Sequence, residues 1–126
     1  MRLGVVGSRR RNTLFDRDIL FSFIKRAKEL FPNISLISGG CNRGADKFAE
    51  YIATSLSIPI IIHLPDRTKL PPNPQRWDFT RINYARNILI AKDCDVLVAL
   101  PASDRKGGTE HTIKETQRLN KKVILL

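Results

Sequence analysis

The sequence predicts a single-domain α/β fold, a three-layer sandwich whose helices cover both faces of a five-stranded parallel sheet. Two observations point there. Short apolar runs alternate with longer amphipathic segments along the whole chain, the rhythm that right-handed strand–helix–strand crossovers produce. The 126 residues match one domain of ordinary size, with no internal repeat, low-complexity tract or linker to divide residues 1–126.

Residues 3–6 form a first apolar run ending in Gly7-Ser8, which reads as a buried strand. Asn12 and Thr13 offer caps for the helix that follows, and Asp16, three residues past Thr13, completes a capping-box pattern. Leu20, Phe23, Ile24, Ala27 and Leu30 form that helix's apolar face, and Pro32-Asn33 ends it. Residues 34–37 supply the second strand, before Ser38-Gly39-Gly40. Ala45, Phe48, Ala49, Ile52, Ala53 and Leu56 repeat at i, i+3 and i+4, the clearest helical period in the chain.

A third strand is expected over residues 58–63, whose continuous apolar run suits a sheet covered on both faces. Residues 64–77 hold four of the seven prolines and read as an irregular loop that includes Trp77. A helix over about 78–92, a strand at 96–100, a loop, a helix over 109–120 and a strand at 123–126 complete the pattern. Five such strands fit a Rossmann-like order, 3-2-1-4-5, or a flavodoxin-like order, 2-1-3-4-5; the glycine placement favours the first.

Composition narrows the function classes. Lys and Arg total 22 against 12 Asp and Glu, a formal charge of +10, which favours anionic partners: nucleotides, nucleic acid or an acidic surface. No apolar run is long enough to span a bilayer, and MRLGVVGSRR carries no signal-peptide pattern, so a membrane partner is not expected and a cytoplasmic location is. Cys41 and Cys94 are too few for a disulfide framework, and with His63 and His111 isolated in sequence neither a metal site nor a required cofactor is expected.

The glycines locate the expected site. Six of the seven lie in the loops that follow strands one, two and four, which share one edge of a parallel sheet. Gly7, Ser8 and Arg9 offer close backbone approach, a hydroxyl and a guanidinium to an anion. Ser38, Gly39, Gly40, Arg43, Gly44 and Asp46 form a glycine-rich turn into a helix N-terminus, and Gly107, Gly108 and Thr109 form another. Asp46 does not suit phosphate; it fits either loop amides or a ribose hydroxyl. Arg86 is placed to reach a phosphate and Asn87 a base or the second loop, whereas Arg10, Arg11 and Arg81 are expected to face water. Neither G-x-x-x-x-G-K-[ST] nor G-x-G-x-x-G is present.

Together GVVGSR (4–9), SGGCNRGAD (38–46), ARN (85–87) and GGTEHTIKE (107–115) resemble the SLOG superfamily of Rossmann-like domains, which includes the DprA and LOG proteins. The resemblance spans essentially the whole chain and is closest to small stand-alone members. It implies the 3-2-1-4-5 order, a nucleotide-related phosphorylated ligand in the three glycine-rich loops, and, since relatives often dimerise, a homodimer. LOG enzymes cleave nucleoside monophosphates with an Arg and the Glu of PGGxGTxxE. Here Thr112 stands at that Glu position, leaving Arg86 and a displaced Glu110 as the catalytic candidates. The leading expectation is therefore binding of a nucleotide-type ligand. LOG-like N-glycosidic hydrolysis comes second, and DprA-like single-stranded nucleic-acid binding, suggested by the +10 charge, third.

Overall fold

The computed structural model describes residues 1–126. The chain runs β1 (Arg2–Gly7), α1 (Leu14–Leu30), β2 (Ser35–Ser38), α2 (Ala45–Leu56), β3 (Ile60–Ile62), a 3-10 turn at Arg67–Lys69, α3 (Arg76–Asp93), β4 (Val96–Leu100), α4 (Gly108–Arg118) and β5 (Lys122–Leu125). All strand pairs are parallel and the order is β3-β2-β1-β4-β5, the Rossmann-like order expected. No helix is long and apolar enough to cross a membrane.

Side chains alternate across each strand, so each face of the sheet collects its own core. Leu3, Val5, Leu36, Val98 and Leu100 pack under α1 and α2 against Leu20, Ile24, Ala49 and Ile52. Val6, Ile37, Leu97 and Ala99 face the other way, onto Ile90, Cys94 and Ile113 of the α3–α4 layer. Burying each Leu, Ile or Val side chain contributes about 1.5–3 kcal/mol. β1 lies in the centre, pairing Leu3 with Leu36 on one side and with Val96 on the other. The chain moves outward from β1 through β2 to β3, then returns across the sheet through α3 to β4. Right-handed crossovers in opposite directions put α1–α2 and α3–α4 on opposite faces. The strand order reverses between β1 and β4, and their C-terminal ends diverge into a crevice there.

Local signals account for most boundaries. Thr13 caps α1: its Oγ1 accepts from the Asp16 amide at 3.1 Å, and its own amide donates to Asp16 Oδ2 at 3.2 Å, closing the expected capping box. Arg11, expected in water, instead turns inward, its Nε donating to Asp16 Oδ1 at 2.9 Å and its Nη1 to the Leu126 carbonyl. Burial opposes ionisation of Asp16, yet Thr13 and Arg11 together hold its carboxyl below the ordinary carboxylate value. A depressed native pKa gives stability that is fully present above the unfolded value of about 4 and is lost as pH falls through the native one. The urea-midpoint gap between wild type and Asp16→Asn is therefore expected to be widest above about pH 4 and to close on acidification; a gap independent of pH would contradict this.

Two elements depart from expectation. β3 is only Ile60–Ile62 and forms a sheet edge, with Ile61 and Ile62 each 38% exposed rather than covered on both faces. Pro59 has no N–H for the ladder, and the Ile58 amide is spent on the Ala53 carbonyl at the end of α2. α3 begins at Arg76, because Asp78 Oδ2 accepts from the Gln75 amide at 2.9 Å and holds the first turn. Trp77, expected in the preceding loop, therefore sits in that turn and is 68% exposed.

Candidate functional site

The crevice between β1 and β4 opens into a cavity of about 550 Å³ at the C-terminal edge of the sheet. Gly7, Ser8 and Arg9 line it from the first loop, Gly107, Gly108 and Thr109 from the third, and Arg86 and Asn87 from α3. The second loop reaches it only through Cys41 and Asp46. Ser38, Gly39, Gly40, Arg43 and Gly44 do not line it. They shape the loop instead: Ser38 is buried, the Gly39 carbonyl accepts from Arg86 Nη1 at 2.5 Å, and the Gly44 amide donates to Asn12 Oδ1 at 2.8 Å. Gly40 lies against Ile62 and Leu64, and Arg43 is exposed outside the cavity.

Close packing of loops and helix explains two of the glycines. A Cβ on Gly7 would stand 2.6 Å from the Cβ of Ala45, so glycine lets the start of α2 meet the end of β1. Gly44 has φ +69° and ψ −146°, a region essentially restricted to glycine, and runs against the Ser8 carbonyl.

Asp46 and Arg86 form the polar floor. Asp46 Oδ2 accepts from the Cys41 amide at 3.0 Å, one of the two roles expected for it. The buried Ser38 hydroxyl approaches this carboxylate without meeting hydrogen-bond geometry. Burial pushes the Asp46 carboxyl above its ordinary value, with the Cys41 amide and Arg86 pulling the other way. Burial likewise lowers the Arg86 guanidinium, opposed by Asp46. Arg86 Nε also donates to Asn87 Oδ1 at 3.0 Å. Asn87 reaches the third loop rather than the second: its Nδ2 lies 3.4 Å from the Gly108 carbonyl.

Four cationic side chains line the cavity, Arg9, Arg10, Arg86 and Lys106, against the single carboxylate of Asp46. Arg10, expected in water, clasps Asp104 with two bonds of 3.0 and 2.7 Å, tying the first loop to the third. Arg9 and Lys106 are exposed and pair with no acid. The N-cap of α4 is Gly107, with no capping side chain, so the first-turn amides of Gly108 and Thr109 remain free donors beside the cavity. Ser8 Oγ accepts from the Arg10 amide at 3.1 Å and keeps its own proton to donate. Such donors and unpaired cations are what an anion requires.

Glu110 does not line the cavity; its Oε1 accepts from Arg105, and Oε2 is buried without a partner. Thr112 lines the cavity in its place. No group of three His, Cys, Asp or Glu residues is arranged to hold a metal ion, and His63 bonds Asp93 at 2.9 Å. Arg81, as expected, is exposed and pairs along its own helix with Asp78.

Sequence reading missed Cys41, Thr80, Asn83, Tyr84 and Lys106 as lining residues. A signal existed for α3: Thr80, Asn83, Tyr84, Asn87 and Ile90 fall on one helical face. It was hidden because the opposite side of the helix mixes Arg81 and Lys92 with Ile82, Ala85 and Leu89, so no face contrasts sharply with another.

No family model matches the chain, and no curated protein matches it. Among solved structures it is similar to the molybdenum cofactor binding protein from the phototrophic bacterium Rippkaea orientalis. That match has 24% identity over 98% of this chain and 74% of the other, with a TM-score of 0.72. It is also similar to the structural-genomics target TM1055, at 18% identity over 97% of this chain and 71% of that one, with a TM-score of 0.65. At these identities the likeness is one of fold.

Proposed function

We propose that this chain is a SLOG-type domain that binds a phosphorylated, nucleotide-type ligand in the β1–β4 cavity. The observation that carries the reading is the convergence, at the switch point of the sheet, of two unpaired cations, Arg9 and Lys106, with the uncapped N-terminus of α4. The similarity to a cofactor-binding protein supports a small-molecule ligand, and adds the molybdenum cofactor to the candidates worth testing. Hydrolysis is the less favoured reading, because Thr112 occupies the expected Glu position and Glu110 is taken up by Arg105. Asp46, the one carboxylate at the cavity, is committed to the Cys41 amide.

The test is a thermal-shift panel of nucleoside mono-, di- and triphosphates, NAD, ADP-ribose, cyclic nucleotides and the molybdenum cofactor. A ligand at 100 times its Kd is expected to stabilise the fold by about 2.7 kcal/mol. That shift should shrink in Arg9→Ala. A panel in which no phosphorylated compound raises the melting temperature would refute the reading.

A further inference from the structure

We infer that the α3 wall of the cavity is a stacking subsite for the planar heteroaromatic part of the ligand, with Tyr84 as its platform. This rests on the phosphate-binding reading above and divides that cavity into two parts.

Tyr84 lines the cavity and is 41% exposed. His111 of α4 stacks on its ring with centroids 3.8 Å apart and planes 7° from parallel, yet does not itself line the cavity. The histidine thus backs one face of the tyrosine and leaves the ring's remaining surface to the cavity. The backing is held in place: Asn87 Nδ2 lies 3.4 Å from His111 Nδ1 and 3.4 Å from the Gly108 carbonyl. One amide therefore ties the stacked pair to the first residue of α4. Burial lowers the His111 pKa, which favours the neutral ring that can accept at Nδ1 from that amide.

His111 is three residues along α4 from Gly108, about one helical turn, or about 5 Å. The stacked pair is thus anchored about one helical turn along the same helix whose N-terminus offers free amides to a phosphate. Asn83, also lining the cavity from α3, makes no hydrogen bond with its side chain, so its carboxamide is free to read the edge of a base. Packing between α3 and α4 alone would not require the ring to be exposed on the cavity side. An aromatic face beside an anion-attracting loop is what a nucleotide base uses.

Titration calorimetry with adenosine 5′-monophosphate, guanosine 5′-monophosphate and ribose 5-phosphate tests this on wild type, Tyr84→Ala, Tyr84→Phe and Arg9→Ala. The wild type is expected to bind a nucleotide more tightly than ribose 5-phosphate. Tyr84→Ala should weaken the nucleotides about 5- to 150-fold, leave ribose 5-phosphate unchanged, and be rescued by Tyr84→Phe. Arg9→Ala should weaken all three. If Tyr84→Ala weakens nucleotides and ribose 5-phosphate equally, or neither, the stacking subsite is overturned while phosphate binding stands. If none of the three binds to wild type, the stacking subsite is overturned, and the thermal-shift panel alone decides whether the phosphate-binding reading stands. The exposed position of Tyr84 makes the variants tolerable to the fold, which a melting curve of each verifies.

Discussion

Gly44→Ala is expected to lower the unfolding free energy by about 3 kcal/mol. The backbone there stands at φ +69° and ψ −146°, which costs a residue with a Cβ about 1–3 kcal/mol. The new Cβ would also come 2.8 Å from the Ser8 carbonyl and 3.4 Å from that of Arg11. Both are backbone atoms of a short loop whose turn is closed by the Arg11 amide on that same Ser8 carbonyl at 3.0 Å, so neither can swing aside as a side-chain tip would. Relief requires the first and second loops to separate, which would also move Arg9 away from the cavity. A melting temperature roughly 10 °C below wild type, with loss of any ligand-induced shift, is the expected result. A variant as stable as wild type would mean that the two loops are not packed as described.

Removing the two unpaired cations should have the opposite signature, a large change in binding with little change in stability. Arg9 and Lys106 are exposed and make no ion pair, and surface substitutions of this kind usually fall within about 0.5 kcal/mol. A charge-assisted hydrogen bond to a phosphate contributes about 1.5–3 kcal/mol, so each truncation to alanine should weaken a phosphorylated ligand about 10- to 150-fold. Arg9→Ala/Lys106→Ala should then approach the product of the two, provided the residues act independently. The salt dependence of binding should flatten in the double variant as screening loses its targets. Affinity unchanged in the double variant, measured by calorimetry at 50 and 200 mM salt (about 14 and 7 Å Debye lengths), would place the anion elsewhere.

The sheet could be read closely from the chain because its information is local. Continuous apolar runs, the Thr13–Asp16 box and the helical repeat from Ala45 to Leu56 each act within a few residues, and the 3-2-1-4-5 order is favoured by where the glycines fall. What escaped was set by contacts distant in sequence. Arg86 meets Gly39 across 47 residues, and Arg11 meets the Leu126 carbonyl across 115, which no window of periodicity reports. The edge position of β3 is a property of the strand order, so Ile61 and Ile62 looked buried from composition alone. From sequence the glycine-rich second loop reads as phosphate-facing in all but Asp46. Only Cys41 and Asp46 of that stretch reach the cavity, while α3, expected to contribute Arg86 and Asn87, adds Thr80, Asn83 and Tyr84 to the wall.

The central claim, a phosphorylated ligand held at Arg9, Lys106 and the start of α4, is tested most directly by native mass spectrometry of the protein as purified from cells. The spectrum of wild type is expected to show a bound small molecule whose fragmentation releases phosphate, and Arg9→Ala/Lys106→Ala prepared in parallel should have lost it. Equal retention by both proteins, or a retained molecule that contains no phosphate, would contradict the account.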